Sequence, residues 1–201
     1  MKEKIQISTE LVRALREKTG AGIMDCKRAL EACGGDLEEA QKWLFRQGAA
    51  VAERKAGRQA KEGVIASYVH VGDRIGVLVE VNCETDFVAR TPQFRELVKD
   101  LTLQIAAAAP LYVSRNDVPP AEIRAQEQAI AQEHSGKPPA VVERIVAGKL
   151  EKYYATVCLL EQPFVKDQNI TVAELIASKI QELGENIVVR RFVRYQLGET
   201  A

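Results

Sequence analysis

One change of period constrains this chain more than any other feature. Through the first fifty residues, apolar side chains recur at the three-to-four spacing of a helix face, and glycines interrupt them. From Val64 the spacing switches. Val64-Ile65-Ala66-Ser67-Tyr68-Val69-His70-Val71 is β-like, Gly72-Asp73 makes a turn, and Arg74 to Asn82 reads as the return strand of a hairpin. Helical spacing then resumes, until Ile187-Val188-Val189-Arg190-Arg191-Phe192-Val193-Arg194-Tyr195 closes the chain as a strand. Its doubled arginine among β-branched residues suits one covered face and one open face. The expected class is α+β: helices first, then a small antiparallel sheet covered by helices.

Local signals set the boundaries. Ser8 caps a first helix whose apolar face holds Leu11, Ala14 and Leu15, and Gly20 ends it. A second runs from about Met24 to Cys33 and stops at Gly34-Gly35. Asp36-Leu37-Glu38-Glu39 has the capping-box pattern of a third, with Leu37, Ala40, Trp43 and Leu44 buried and an end near Gly48. Residues 1–54 are expected as one domain and 55–201 as an α+β core, joined by a charged connector, Ala52 to Lys61, that is either helical or a linker. In the core, Thr91 and Pro92 open a helix carrying Phe94, Leu97, Val98, Leu101 and Ile105, which Pro110 ends. Helices follow over Glu122 to Glu133 and Val141 to Tyr154. Leu159 to Val165 reads as an extended connector, and a last helix runs from Thr171 to Gly184.

Composition removes whole classes of function. Lys plus Arg and Asp plus Glu are 28 each, so the net charge is zero, and the basic runs are short and mixed with acids. Direct nucleic-acid binding usually shows a basic excess or stripe, so it is not expected. No apolar run reaches the roughly 18–20 residues of a membrane span, and the N-terminus lacks a signal-peptide core, so a cytoplasmic location is expected. The cysteines, Cys26, Cys33, Cys83 and Cys158, form no CxxC pair, and with only two histidines no zinc site is expected. Gly136-Lys137 is followed by proline, which rules out a phosphate loop there. Gly20-x-Gly22 lacks the third glycine of a dinucleotide loop, and there is no GxSxG elbow. No enzyme signature and no cofactor emerge; the residues point to a binding protein.

Two constellations remain. The strand Ile75 to Val81 runs into Asn82-Cys83-Glu84-Thr85-Asp86-Phe87-Val88-Ala89-Arg90, a helix start carrying an acid beside a large aromatic. On one reading Thr85 caps the helix, Asp86 complements its dipole and Phe87 packs into the core. On the other, Phe87 points outward and is an interface hot spot. The second constellation is Arg13, Arg16, Ile23, Met24 and Lys27, basic residues around an apolar pair at the turn between the first two helices. It reads either as a solvated face or as a contact surface.

The stretch Leu15-Arg16-Glu17-Lys18-Thr19-Gly20-Ala21-Gly22-Ile23-Met24-Asp25-Cys26-Lys27, with Val79 to Ala89 and Gly184-Glu185-Asn186-Ile187 to Phe192, resembles bacterial translation elongation factor Ts. The resemblance covers essentially the whole chain. It implies that residues 1–54 are a ubiquitin-associated-like three-helix domain and that 55–201 grip elongation factor Tu, a GTPase. It implies guanine-nucleotide exchange, not catalysis, with Phe87 as an apolar wedge and Asp86 as an acid disturbing the magnesium surroundings. Thr85 and Val88 would hold the turn, and Arg13, Arg16, Met24 and Lys27 would touch the nucleotide side of the GTPase. Ile23 stands where many relatives have a second methionine. The chain is shorter than relatives with a second core half, which implies pairing of two copies through the open face of the closing strand. Two rival readings stand beside this one: a ubiquitin-associated-type adaptor without exchange activity, and a thiol enzyme using Cys83 or Cys26.

Overall fold

The computed structural model describes residues 7–199. Its first three helices are α1 (Thr9–Thr19), α2 (Ile23–Ala32) and α3 (Leu37–Lys55). The boundaries follow the local chemistry. The Ser8 hydroxyl accepts from the Leu11 N–H, and Gly20 ends α1 in the left-handed region at φ 68°. The Asp36 carboxylate accepts from the N–H groups of Glu38 and Glu39 and opens α3. Val12, Leu15, Cys26, Ala29, Leu30, Ala40 and Leu44 form one buried cluster, with Leu11, Leu37 and Trp43 packed against it.

Helix α3 does not end at Gly48. It continues to Lys55 and takes in the first part of the charged connector. A Cβ at Gly48 would lie 3.4 Å from the Ala177 carbonyl oxygen and 3.3 Å from Gln181 Oε1. Glycine is therefore a close-approach residue here. It lets α3 pass against the later helix that carries Ala177, and the helix continues because tertiary packing outweighs a propensity cost of about 1 kcal/mol.

Strands β1 (Glu62–Val69) and β2 (Ile75–Cys83) form the hairpin, closed by His70 N–H donating to the Ile75 carbonyl at 2.9 Å. Gly72 and Asp73 both take positive φ, 92° and 57°, as a tight turn between twisted strands demands. A one-turn helix, α4 (Asp86–Ala89), precedes α5 (Pro92–Ala108). The Thr91 hydroxyl accepts from Phe94 N–H at 3.2 Å, and Phe94, Leu97, Val98, Leu101 and Ile105 are all buried. Then come α6 (Pro120–Glu133) and α7 (Pro139–Val157), each opening on a proline. Last are β3 (Pro163–Phe164), β4 (Asp167–Thr171), α8 (Val172–Leu183) and β5 (Val188–Gln196). The main sheet has the order β1-β2-β5, and β3 and β4 pair antiparallel.

The segment Leu159 to Val165, expected as a plain connector, is a 3-10 turn (Leu159–Glu161) followed by β3, and β4 was not anticipated. A buried amide pair accounts for the difference. Gln104 Nε2 donates to Gln162 Oε1 at 3.0 Å and to the Pro163 carbonyl at 3.2 Å, while Gln104 Oε1 accepts from Val165 N–H at 2.8 Å. One glutamine on the buried side of α5 thus satisfies the backbone of a segment more than fifty residues later.

The chain divides into two compact units, each discontinuous in sequence. The first holds the described residues through Val64 with Val81–Val98 and Ala173–Val188; the second holds Ile65–Glu80, Lys99–Val172 and the described residues from Val189 onward. In the second, Ile65, Val69, Leu78, Val193 and Tyr195 are exposed, and an ion pair of 2.8 Å joins Arg191 Nε to Glu80. Arg190 and Arg191 are both exposed although neighbours in a strand point to opposite faces, so this pair does not show the expected division of β5 into one covered and one open face.

Candidate functional site

Buried positions alternate with more accessible ones along β2 to Cys83, where the strand ends, and α4 begins at Asp86. Thr85 is extended, with φ −128° and ψ 155°, and its hydroxyl accepts from the Val88 N–H at 3.4 Å, as an N-cap does. Asp86 occupies the first turn, where its charge complements the helix end. Helical residues are rotated by about 100° per step. Burying Ala89 to 4% therefore turns Phe87 to the far side of α4, where it is 80% exposed. The core-packing alternative for Phe87 does not hold: the ring faces solvent.

That exposure has a physical meaning. Burying a phenyl group is worth roughly 1.5–3 kcal/mol, which this ring leaves unused in its own chain. Beside it, Asp86 pairs with Arg90 Nη2 at 2.9 Å, with the arginine side chain 76% exposed and the acid 47% exposed. Such a pair contributes about 0–1 kcal/mol, so a partner can break it readily.

A single turn of helix is unstable alone, and α4 is held from both ends. At its far end the Thr91 hydroxyl donates to the Val88 carbonyl at 2.8 Å. At its start one carboxylate serves three donors. Glu185 Oε2 accepts from the N–H groups of Glu84 (3.1 Å) and Thr85 (3.0 Å), and Oε1 accepts from the Thr85 hydroxyl at 2.6 Å. In return, Glu84 Oε1 accepts from Asn186 N–H at 2.7 Å. The buried Asn186 side chain donates to the Arg58 carbonyl at 2.9 Å, and Lys55 donates to the Gly184 carbonyl. The end of α3 and the loop before β5 are thus tied to the start of α4. Sequence reading took Glu185 only as part of a motif. Its position right after the helix-ending Gly184 (φ 76°) was the available signal.

The second constellation is also on the surface. Arg13 and Arg16 on α1, and Ile23, Met24 and Lys27 on α2, are all exposed, Met24 by 66% and Ile23 by 54%. Arg13 reaches Glu17 at 3.2 Å and Lys27 reaches Glu31 at 3.9 Å, both exposed pairs. Arg16 borders a cleft of about 230 Å³ shared with Thr19, Asp25, Ser178 and Gln181. Among the described residues, no hydrogen bond or ion pair joins this set to Thr85–Val88.

Three of the four thiols sit where burial disfavours the nucleophilic thiolate. Cys26, Cys83 and Cys158 are buried, and burial is the largest cause pushing the Cys83 and Cys158 pKa values up to about 11. Cys26 is raised too, again chiefly by burial. The thiol-enzyme reading needs an accessible thiolate, and these sites disfavour one. Among the described residues, no group of three His, Cys, Asp or Glu side chains is placed to hold a metal, and no helix is long and apolar enough to cross a membrane.

Known proteins resemble this chain closely. The family described as Elongation factor TS matches residues 40–199. Elongation factor Ts of Methylacidiphilum infernorum is 58% identical over 193 residues, 96% of each chain. The proteins of the same name from Carboxydothermus hydrogenoformans and Thermotoga petrophila are 54% and 53% identical, covering 96% and 97% of this chain and 90% and 98% of their own. An exposed acid-aromatic helix start, a basic and apolar helical turn and three buried thiols thus occur in a chain that belongs to the elongation factor Ts family of translation elongation factors.

Proposed function

We propose that this chain is a guanine-nucleotide exchange factor for the GTPase elongation factor Tu, and that α4 is the part that opens the nucleotide site. The observation that carries the reading is Phe87: a large aromatic, 80% exposed, on a helix turn clamped at both ends. A ring so placed enters an apolar crevice of a partner without first being ordered, which lowers the cost of binding. Asp86, beside it, is freed from Arg90 and presents its charge to the magnesium surroundings. Thr85 and Val88 keep the turn in shape, and Arg13, Arg16, Ile23, Met24 and Lys27 form a second contact on the GTPase.

Exchange needs no bond chemistry. The factor must bind the nucleotide-free GTPase more tightly than the loaded one, because only differential affinity moves the equilibrium. Moving it from 1:99 to 99:1 takes about 5.5 kcal/mol. Phe87 supplies roughly 1.5–3 kcal/mol, so the contacts around the α1–α2 turn must supply much of the rest. By linkage, bound GDP weakens the grip of this chain on the GTPase by the same factor.

Three finer points belong to the same reading. The location is cytoplasmic. Residues 1–54 act as a ubiquitin-associated-like domain, supported by their own buried cluster, although Gly48 also packs α3 against α8. Two copies pair through the exposed sheet residues Ile65, Leu78, Val193 and Tyr195, and sedimentation should then give twice the chain mass. The main test is stopped-flow release of a fluorescent GDP from elongation factor Tu. Catalytic amounts of this chain should accelerate release at least tenfold; no acceleration would end the proposal.

A further inference from the structure

We propose that Glu185 is the positioning residue of the exchange element: its carboxylate aims α4, and so Phe87, by holding the cap residue Thr85 from outside the helix. This rests on the reading of α4 as the part that opens the nucleotide site. The geometry is a relay. The Thr85 hydroxyl proton is committed to Glu185 Oε1 at 2.6 Å, so the lone pairs of Thr85 Oγ1 remain for the Val88 N–H, 3.4 Å away. Oε2 meanwhile takes the two consecutive N–H groups of Glu84 and Thr85. An ordinary cap leaves the threonine hydroxyl proton free to rotate; here a second side chain, a hundred residues away in sequence, accepts it. Phe87 has little packing of its own to set its direction, so this anchorage decides where the ring points. Glu185 is itself set in place. Asn186, next to it, is buried, and its N–H and side chain are bound by Glu84 and the Arg58 carbonyl.

Replacement by glutamine leaves an amide oxygen for the two backbone N–H groups but turns the atom facing Thr85 into a donor. Replacement by alanine removes both acceptor oxygens and with them all three hydrogen bonds. Losing hydrogen bonds to a charged acceptor corresponds to about a tenfold effect or more. In the stopped-flow assay with saturating factor, Glu185→Ala should slow GDP release about tenfold and Glu185→Gln about threefold. The deciding measurement is a double-substitution cycle with Phe87→Ala. If Glu185 works through the ring, then once Phe87 is gone either Glu185 substitution should cost less than about twofold more. Amide exchange in the free protein supplies a readout independent of the partner. The Glu84 and Thr85 N–H groups should lose protection in Glu185→Ala and keep most of it in Glu185→Gln, while those of Leu97 and Leu101 in α5 keep theirs in both. Should Glu185→Ala prove unfolded at the assay temperature, Glu185→Gln carries the cycle.

Release as fast as in the unaltered chain, or the same loss with and without Phe87, would overturn the role given to Glu185. If Phe87→Ala alone leaves release unchanged, the reading of α4 has failed instead, and the two failures are told apart.

Discussion

Truncating Phe87 to alanine separates its proposed use from any structural use. A phenylalanine side chain carries about 200 Å² of surface, and 80% exposure leaves about 160 Å² of it available to a partner. At about 25 cal/mol per Å² that is at most about 4 kcal/mol. Imperfect closure and the cost of association reduce it, and half of the limit, about 2 kcal/mol, is a fair central figure. Since about 1.4 kcal/mol is a factor of ten, GDP release promoted by the Phe87→Ala chain should fall about thirtyfold at sub-saturating factor. The folded chain should hardly change. The fifth of the ring that is buried is worth about 1 kcal/mol, and roughly half of that returns through the better helix propensity of alanine in α4. The thermal midpoint should therefore move by no more than about 2 °C. The assay is stopped-flow release of fluorescent GDP, with circular dichroism melts on the same samples. Unchanged release would refute the wedge, and a collapsed melt would mean that the ring stabilises its own fold.

Four further substitutions or conditions test the packing of the chain. Gly63 lies in β1 at φ 139°, and a Cβ there would sit 2.2 Å from the Val81 carbonyl oxygen, so Gly63→Ala should destabilise the chain by about 2 kcal/mol or more in urea titration. Gly48→Val overfills the α3 approach to the Ala177 carbonyl and should cost about 1–3 kcal/mol, read as a lower midpoint in the same titration; an unchanged midpoint would deny the close approach. Cys83 and Cys158 are raised from the ordinary 9.0 to about 11, mainly by burial, so the unfolded chain loses those protons first. Their contribution to stability is intact below about pH 9 and is lost as the pH climbs through 11. The melting temperature should fall across that window, and less steeply in a Cys83→Ala, Cys158→Ala chain. At pH 8 iodoacetamide should label the half-exposed Cys33 ahead of the three buried thiols.

Much of this architecture could be read without coordinates because its signals are local. Ser8, Asp36, Thr85 and Thr91 each act on N–H groups within three residues, and Gly20 and Gly184 take the left-handed φ that ends a helix. The stripe Phe94 to Ile105 needs only the helical repeat to identify its buried side. What escaped depended on distant residues. Gly48 looked like a stop because its neighbour Ala177 lies far along the chain, and β3 and β4 were missed because Gln104 satisfies their start from α5.

The candidate site divides the same way. The sequence alone determined that a capped acid-aromatic turn follows a strand, since periodicity and capping are properties of a few adjacent residues. Which way Phe87 faces, and what steadies it, was decided only by tertiary structure. One turn of helix has no intrinsic orientation. The burial of Ala89 on one side and the reach of Glu185 from a hundred residues away together supply it.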